Sequence, residues 1–210
     1  MKNVYWLYLV LAAMLMMLSA CESGVDFRVV NNCSYPAYVS VDSGAQITIP
    51  ASGEHTFSLD TDNQSFLTGK VTRDLKVKII GETYSLFDED EITPIDSTIV
   101  TIGAGESRNA FLTPNRACIK IVNNSSSTIG TAEIWQHTSL SHIRFASLFN
   151  IAPGESKFMR VDYAVPNAQY YYQVIIPVVD GDPIIYGDTN NVLANDQQFV
   201  VIHTDLGQKH

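Results

Sequence analysis

The sequence of 210 residues predicts an all-β protein: two tandem immunoglobulin-like β-sandwich domains related by an internal repeat. Three observations predict it. Short segments alternate apolar and polar residues with period two, Asn-Asn and Gly-Glu pairs punctuate them, and the same order of strand and turn returns later in the chain.

Chain order begins with Met1 to Ala20, MKNVYWLYLVLAAMLMMLSA, where Lys2 precedes an apolar run from Val4 to Leu18 and a small-residue pair. That is the three-region pattern of an export signal, and the run is shorter than the roughly 20 residues a membrane span needs. Leu18-Ser19-Ala20-Cys21 closes it. This motif resembles the lipobox of bacterial lipoproteins, which implies that the Cys21 thiol is acylated, palmitate included, and that residues 1–20 are removed as a signal peptide. The resemblance also implies a bacterial cell-envelope protein held on a membrane by lipid. Each buried methylene contributes about 0.8 kcal/mol, so two or three chains anchor a domain durably.

Without residues 1–20 the chain holds 12 basic and 22 acidic groups, a formal charge of −10. Such a surface is repelled by phosphate backbones and anionic headgroups, so nucleic-acid partners are excluded and the membrane is reached through lipid. Residues 21–25 then read as a lipidated linker.

The repeat covers residues 26–115 and 116–210. Phe27 to Ser34 reads FRVVNNCS and Ile119 to Ser126 reads IKIVNNSS. Ile49-Pro-Ala-Ser-Gly-Glu54 answers Ile151-Ala-Pro-Gly-Glu155, and Ile102-Gly-Ala-Gly-Glu106 is a third such turn. The offset is 92 residues at the Asn pair and 101 at the Gly-Glu pair, so the second copy carries nine extra residues, placed within TSLSHIRFA. Asn-Asn reads as strand-to-turn punctuation, since Asn tolerates positive φ and bonds neighbouring backbone. The first repeat carries 6 basic and 13 acidic groups and the second 6 and 8. The first is thus the acidic spacer, and the second is the expected partner surface.

Ala37–Val41, Phe57–Leu59, Leu75–Ile79 and Ile119–Ile121 alternate as half-buried strands. Tyr170–Val179 and Phe199–Ile202 are uniformly apolar and predict strands covered on both faces, with Pro177 at an edge or bulge. FRVVNNCSYPAY is similar to the opening of thaumatin-like proteins, which are β-sandwiches; those are rich in disulfides, a framework this chain lacks, and no site is carried over.

Cys33 and Cys118 are a candidate disulfide pair in an exported chain, closing a loop of 85 residues and contributing on the order of 4 kcal/mol; two buried free thiols are the alternative. No metal site or other cofactor is predicted. His137 and His142 do not have the i, i+4 spacing of a helical zinc pair, and neither Cys nor Glu stands beside them at ligand spacing. Asp88-Glu-Asp-Glu91 reads as a solvated loop before a calcium site, and Asp180-Gly-Asp182 as a hairpin turn. Nucleophile elbow, P-loop and dinucleotide fingerprint are all lacking, so no catalytic residue is assigned and the chain is not read as an enzyme.

The aromatic residues are the remaining ligand candidates: Tyr35, Tyr38, Tyr84, Trp135, Tyr163, Tyr170, Tyr171, Tyr172 and Tyr186. Most strand aromatics fill cores. The expected ligand surface gathers Trp135, His137, Tyr170, Tyr171 and Tyr172. Function is read as non-catalytic binding or assembly at the membrane surface, with a protein or glycan partner. A carbohydrate-binding surface lipoprotein is the alternative, followed by an envelope hydrolase.

Overall fold

The structure is a computed structural model and describes residues 24–62, 70–88, 90, 93–167, 169–179 and 181–205. The signal segment, Cys21, Glu89, Glu91, Asp180 and His210 lie outside the described residues. Within them the chain is all-β, without a helix.

Among the described residues nine strands precede residue 113: β1 (Val25–Asn31), β2 (Ala37–Val41), β3 (Ile47–Ile49), β4 (Glu54–Leu59), β5 (Thr72–Gly81), β6 (Leu86–Phe87), β7 (Pro94–Ile95), β8 (Ser97–Gly103) and β9 (Ser107–Leu112). Seven follow: β10 (Ala117–Asn123), β11 (Ile129–His137), β12 (His142–Ile151), β13 (Ser156–Val161), β14 (Tyr171–Ile176), β15 (Ile184–Tyr186) and β16 (Gln198–His203). Sheet order shows the repeat directly. The first sandwich packs β4-β1-β9 against β3-β2-β5-β8, and the second packs β13-β10-β16 against β12-β11-β14-β15. In each, the opening strand pairs antiparallel with the fourth and parallel with the last. Among the described residues only the small β6-β7 pair lacks a counterpart.

Alternation explains the layers. In β5 Leu75, Val77 and Ile79 are buried while Asp74, Lys76 and Lys78 face water. One core gathers Phe27, Val29, Val39, Leu75, Val77 and Ile102, and a second gathers Ile119, Ile121, Ile134, Tyr172, Val174 and Val201. Two of the three Gly-Glu turns rest on a glycine with positive φ, while in Ile49–Glu54 Ser52 takes that conformation, at φ 54°. Gly105 and Gly154 have φ of 75° and 77°, and Glu155 accepts the Ala152 N–H at 2.9 Å to close its own turn.

Asn31 and Asn123 correct one expectation. Neither has positive φ. Both act through buried side chains that bond the following turn.

The extra residues of the second copy lengthen one hairpin. β2 and β3 have 5 and 3 residues, whereas β11 and β12 have 9 and 10. A bulge between Ile134 and Trp135 sits in this extension.

The uniformly apolar strands are not covered on both faces. In β14 Tyr172, Val174 and Ile176 are buried, but Tyr171, Gln173 and Ile175 are half-exposed on the outer face. β16 lies at a sheet edge, with Val200 44% and Ile202 55% exposed. Among the described residues no further layer packs on them. Their apolar outer residues therefore belong to the surface.

The sandwiches meet through a polar junction. Glu82, 1% exposed, accepts from Lys120 Nζ at 2.9 Å, Tyr38 Oη at 3.0 Å and Gln198 Nε2 at 2.5 Å. Tyr38 also stacks on Phe158, with ring centroids 6.0 Å apart. Asp196 of the second sandwich accepts from the Ser34 N–H and from Thr83 Oγ1 of the first.

Cys33 and Cys118 are free buried thiols, which corrects the candidate disulfide. Each is engaged separately. Cys33 Sγ donates to the Leu112 carbonyl at 3.5 Å, while Cys118 Sγ accepts from Gln198 Nε2 at 3.5 Å. Burial pushes the Cys33 thiol up to about 11 and the Cys118 thiol up to about 12.

Candidate functional site: the outer face of the second sandwich

The long β11-β12 hairpin and strand β14 set side chains in rows across one sheet. At one end His137 stands opposite His142 on β12 and Tyr171 on β14. The next row holds Arg144, Trp135 and Gln173, and the next Ser147, Glu133, Ile175 and Ile185. Phe149, 57% exposed, and Ile185, 54% exposed, extend the apolar surface toward the two edges.

Local bonds fix the rings. Trp135 Nε1 donates to Glu133 Oε2 at 3.0 Å and Arg144 Nη1 donates to Glu133 Oε1 at 2.9 Å. Those donors, Trp135 first, hold the Glu133 carboxyl below its ordinary range. His137 stacks on Tyr171, with centroids 4.8 Å apart and planes 8° from parallel. Its Nδ1 lies 2.5 Å from Nδ1 of His142, and its Nε2 is buried with no hydrogen-bond partner among the described residues. Burial, then His142, lowers the His137 pKa.

Sequence reasoning located this face in part. Trp135, His137 and Tyr171 come together on it. Tyr172 does not. It points to the opposite side of β14, is fully buried, and donates its hydroxyl to the Asp162 carbonyl at 2.9 Å. Period-two alternation forbids three consecutive strand residues from sharing a face. Tyr170 packs edge-on against Tyr172 and donates to the Tyr163 carbonyl. It borders a cleft of about 660 Å³ beside the hairpin end, along with His137, Leu140, Pro166, Tyr171 and Val192.

Ile175, Ile185, Phe149 and His142 were missed. The uniformly apolar β14 read as doubly covered, and His142 needs the hairpin register before it meets His137. A signal existed in the spacing: two histidines flanking the four residues Thr138–Ser141 become cross-strand neighbours if those residues form the loop.

Of the acidic clusters, Asp88, Asp90 and Asp182 fall within the described residues. Asp88 and Asp90 lie between β6 and β7, and Asp90 accepts from the Thr93 N–H and hydroxyl. Asp182 lies in the β14–β15 connection. Among the described residues no group of three or more His, Cys, Asp and Glu side chains could hold a metal ion.

No protein-family model matches the sequence, and no curated protein matches it. Among solved structures, the Bacillus anthracis TIE protein is similar over 88% of this chain, with 10% identity and a TM-score of 0.29. The chain spans 33% of that protein's length. A candidate cell adhesion protein from Bacteroides ovatus aligns over 87% of this chain and 92% of its own, with 10% identity and a TM-score of 0.31. The major pilin of Streptococcus pyogenes, as an N168A mutant, aligns over 87% and 98%, with 11% identity and a TM-score of 0.22. The sandwich assignment rests on the strand order of this chain itself.

Proposed function

We propose that this chain is a lipid-anchored bacterial cell-envelope protein with a non-catalytic binding or assembly role at the membrane surface. One observation carries the binding role: equivalent sheet faces of the two repeats differ in chemistry. In the first sandwich, β5 presents Asp74, Lys76 and Lys78 to water, with Ile99 on β8 the exposed apolar residue opposite Lys76. In the second, β14 and its neighbours present Tyr171, Ile175, Ile185 and Trp135 at the same place. A face made mostly of charge stays solvated alone, whereas an aromatic and apolar face crossed by one Glu133–Arg144 pair offers a protein partner area to bury. The Leu18-Ser19-Ala20-Cys21 motif supports the anchor.

Two variants test the reading. Cys21→Ala should abolish labelling by radioactive palmitate, and unchanged labelling would refute the anchor. Ile175→Lys with Ile185→Lys should keep the far-UV circular dichroism and the palmitate label, yet abolish complexes trapped by formaldehyde in the envelope. Complexes as abundant as in the parent would refute the binding face.

A further inference from the structure

We propose that His137 and His142 form a two-imidazole site for a divalent transition metal ion, copper(II) before nickel and zinc. The register places the two residues opposite each other at the ends of β11 and β12. Their Nδ1 atoms face one another at 2.5 Å, with ring centroids 4.6 Å apart. Only one proton fits between two such nitrogens, so two lone-pair positions converge on one point. A metal ion uses both.

The distances suit chelation. Metal–imidazole bonds of about 2.0–2.1 Å place two cis nitrogens roughly 2.9 Å apart at a right angle and roughly 3.3 Å apart at a tetrahedral angle. The rings must therefore part by less than about 1 Å. His142 is exposed and can move that far, while His137 is held by its stack on Tyr171.

The backbone beneath is fixed. Thr138 N–H donates to the Ser141 carbonyl at 2.8 Å, and Thr138 Oγ1 accepts from the Ser141 and Leu140 N–H groups. This closed loop keeps residues 137 and 142 in register. Neutral imidazoles are strong ligands for copper, nickel and zinc, and the affinity order favours copper. A formal charge of −10 on the chain without residues 1–20 favours a cation over an anion. Two protein ligands leave coordination positions open to water at the mouth of the cleft beside the hairpin.

The site is tested on the full-length chain in detergent, titrated with copper(II) and followed by electron paramagnetic resonance. The parent should take up one equivalent showing hyperfine coupling to two imidazole nitrogens. His142→Ala and His137→Ala should weaken that uptake at least about 10-fold with unchanged far-UV circular dichroism, and His210→Ala should not. His142 is exposed, so its replacement does not threaten folding. A parent that binds no copper, or a His142→Ala chain that binds it as the parent does, would overturn the assignment.

Discussion

Asn31 and Asn123 hold the same position in the two sandwiches and share three equivalent bonds. Asn31 Nδ2 donates to the Tyr35 and Ile49 carbonyls and its Oδ1 accepts the Cys33 N–H. Asn123 Nδ2 donates to the Ser127 and Ile151 carbonyls and its Oδ1 accepts the Ser125 N–H. Both residues are fully buried. Replacing either with Ala strands buried carbonyls and one N–H, at a cost of about 1–3 kcal/mol. Guanidinium denaturation of Asn31→Ala and Asn123→Ala should each show that loss; a change below about 0.5 kcal/mol would count against the shared role.

The Glu82–Lys120 pair governs the junction. Glu82's side chain is 0% exposed and Lys120's is 25% exposed. Lys120→Met leaves a buried carboxylate without its cation, which costs toward the lower end of about 3–5 kcal/mol because Lys120 keeps some solvent. Adding Glu82→Gln should recover more than half of the loss, as read by urea denaturation. A single variant as stable as the parent would show that the pair contributes nothing net.

Both buried cysteines should be inert in the folded protein. With thiol pKa values of about 11 and about 12, neither forms appreciable thiolate at pH 8. In a Cys21→Ser chain, Ellman's reagent should find no reactive thiol under native conditions and two in guanidinium. Zero in guanidinium would mean that the two are bonded after all.

Acid should weaken the second sandwich in a definite window. Burial lowers the His203 pKa from 6.5, against an opposing pull from Asp205, and Tyr186 Oη lies 2.9 Å from its Nδ1. The unfolded chain then binds more protons than the folded one as pH falls through about 6.5. Stability is fully present above that pH and declines below it. His203→Gln should flatten the change in urea midpoint between pH 7.5 and pH 5.5, though not wholly, because the His137 pKa is lowered too. An equal slope in parent and variant would refute this source.

Much of the fold was legible because local rules repeat. Alternation marked Leu75–Ile79 and Ile119–Ile121, and the NNCS and NNSS segments marked equivalent turns that the sheet order then matched strand for strand. What was not legible depends on contacts far apart in sequence. Ser126 is capped within its own repeat by Asp205, but the equivalent Ser34 is capped by Asp196 of the other sandwich, which no local pattern announces. The disulfide failed for the same reason: two cysteines are a pair only if the fold brings them together, and here each found another partner. At the candidate site, the run Tyr170-Tyr171-Tyr172 reads as a unit in sequence, yet alternation sends Tyr172 inward and Tyr171 outward.

Site-specific photo-crosslinking tests the central claim most directly. A photoreactive amino acid is placed in turn at Trp135, on the aromatic face, and at Lys76, on the charged face of the first sandwich, and cells are irradiated intact. A binding role for the second sandwich predicts a discrete, palmitate-labelled adduct from position 135 and none from position 76. No adduct at 135, or equal adducts at both, would contradict it.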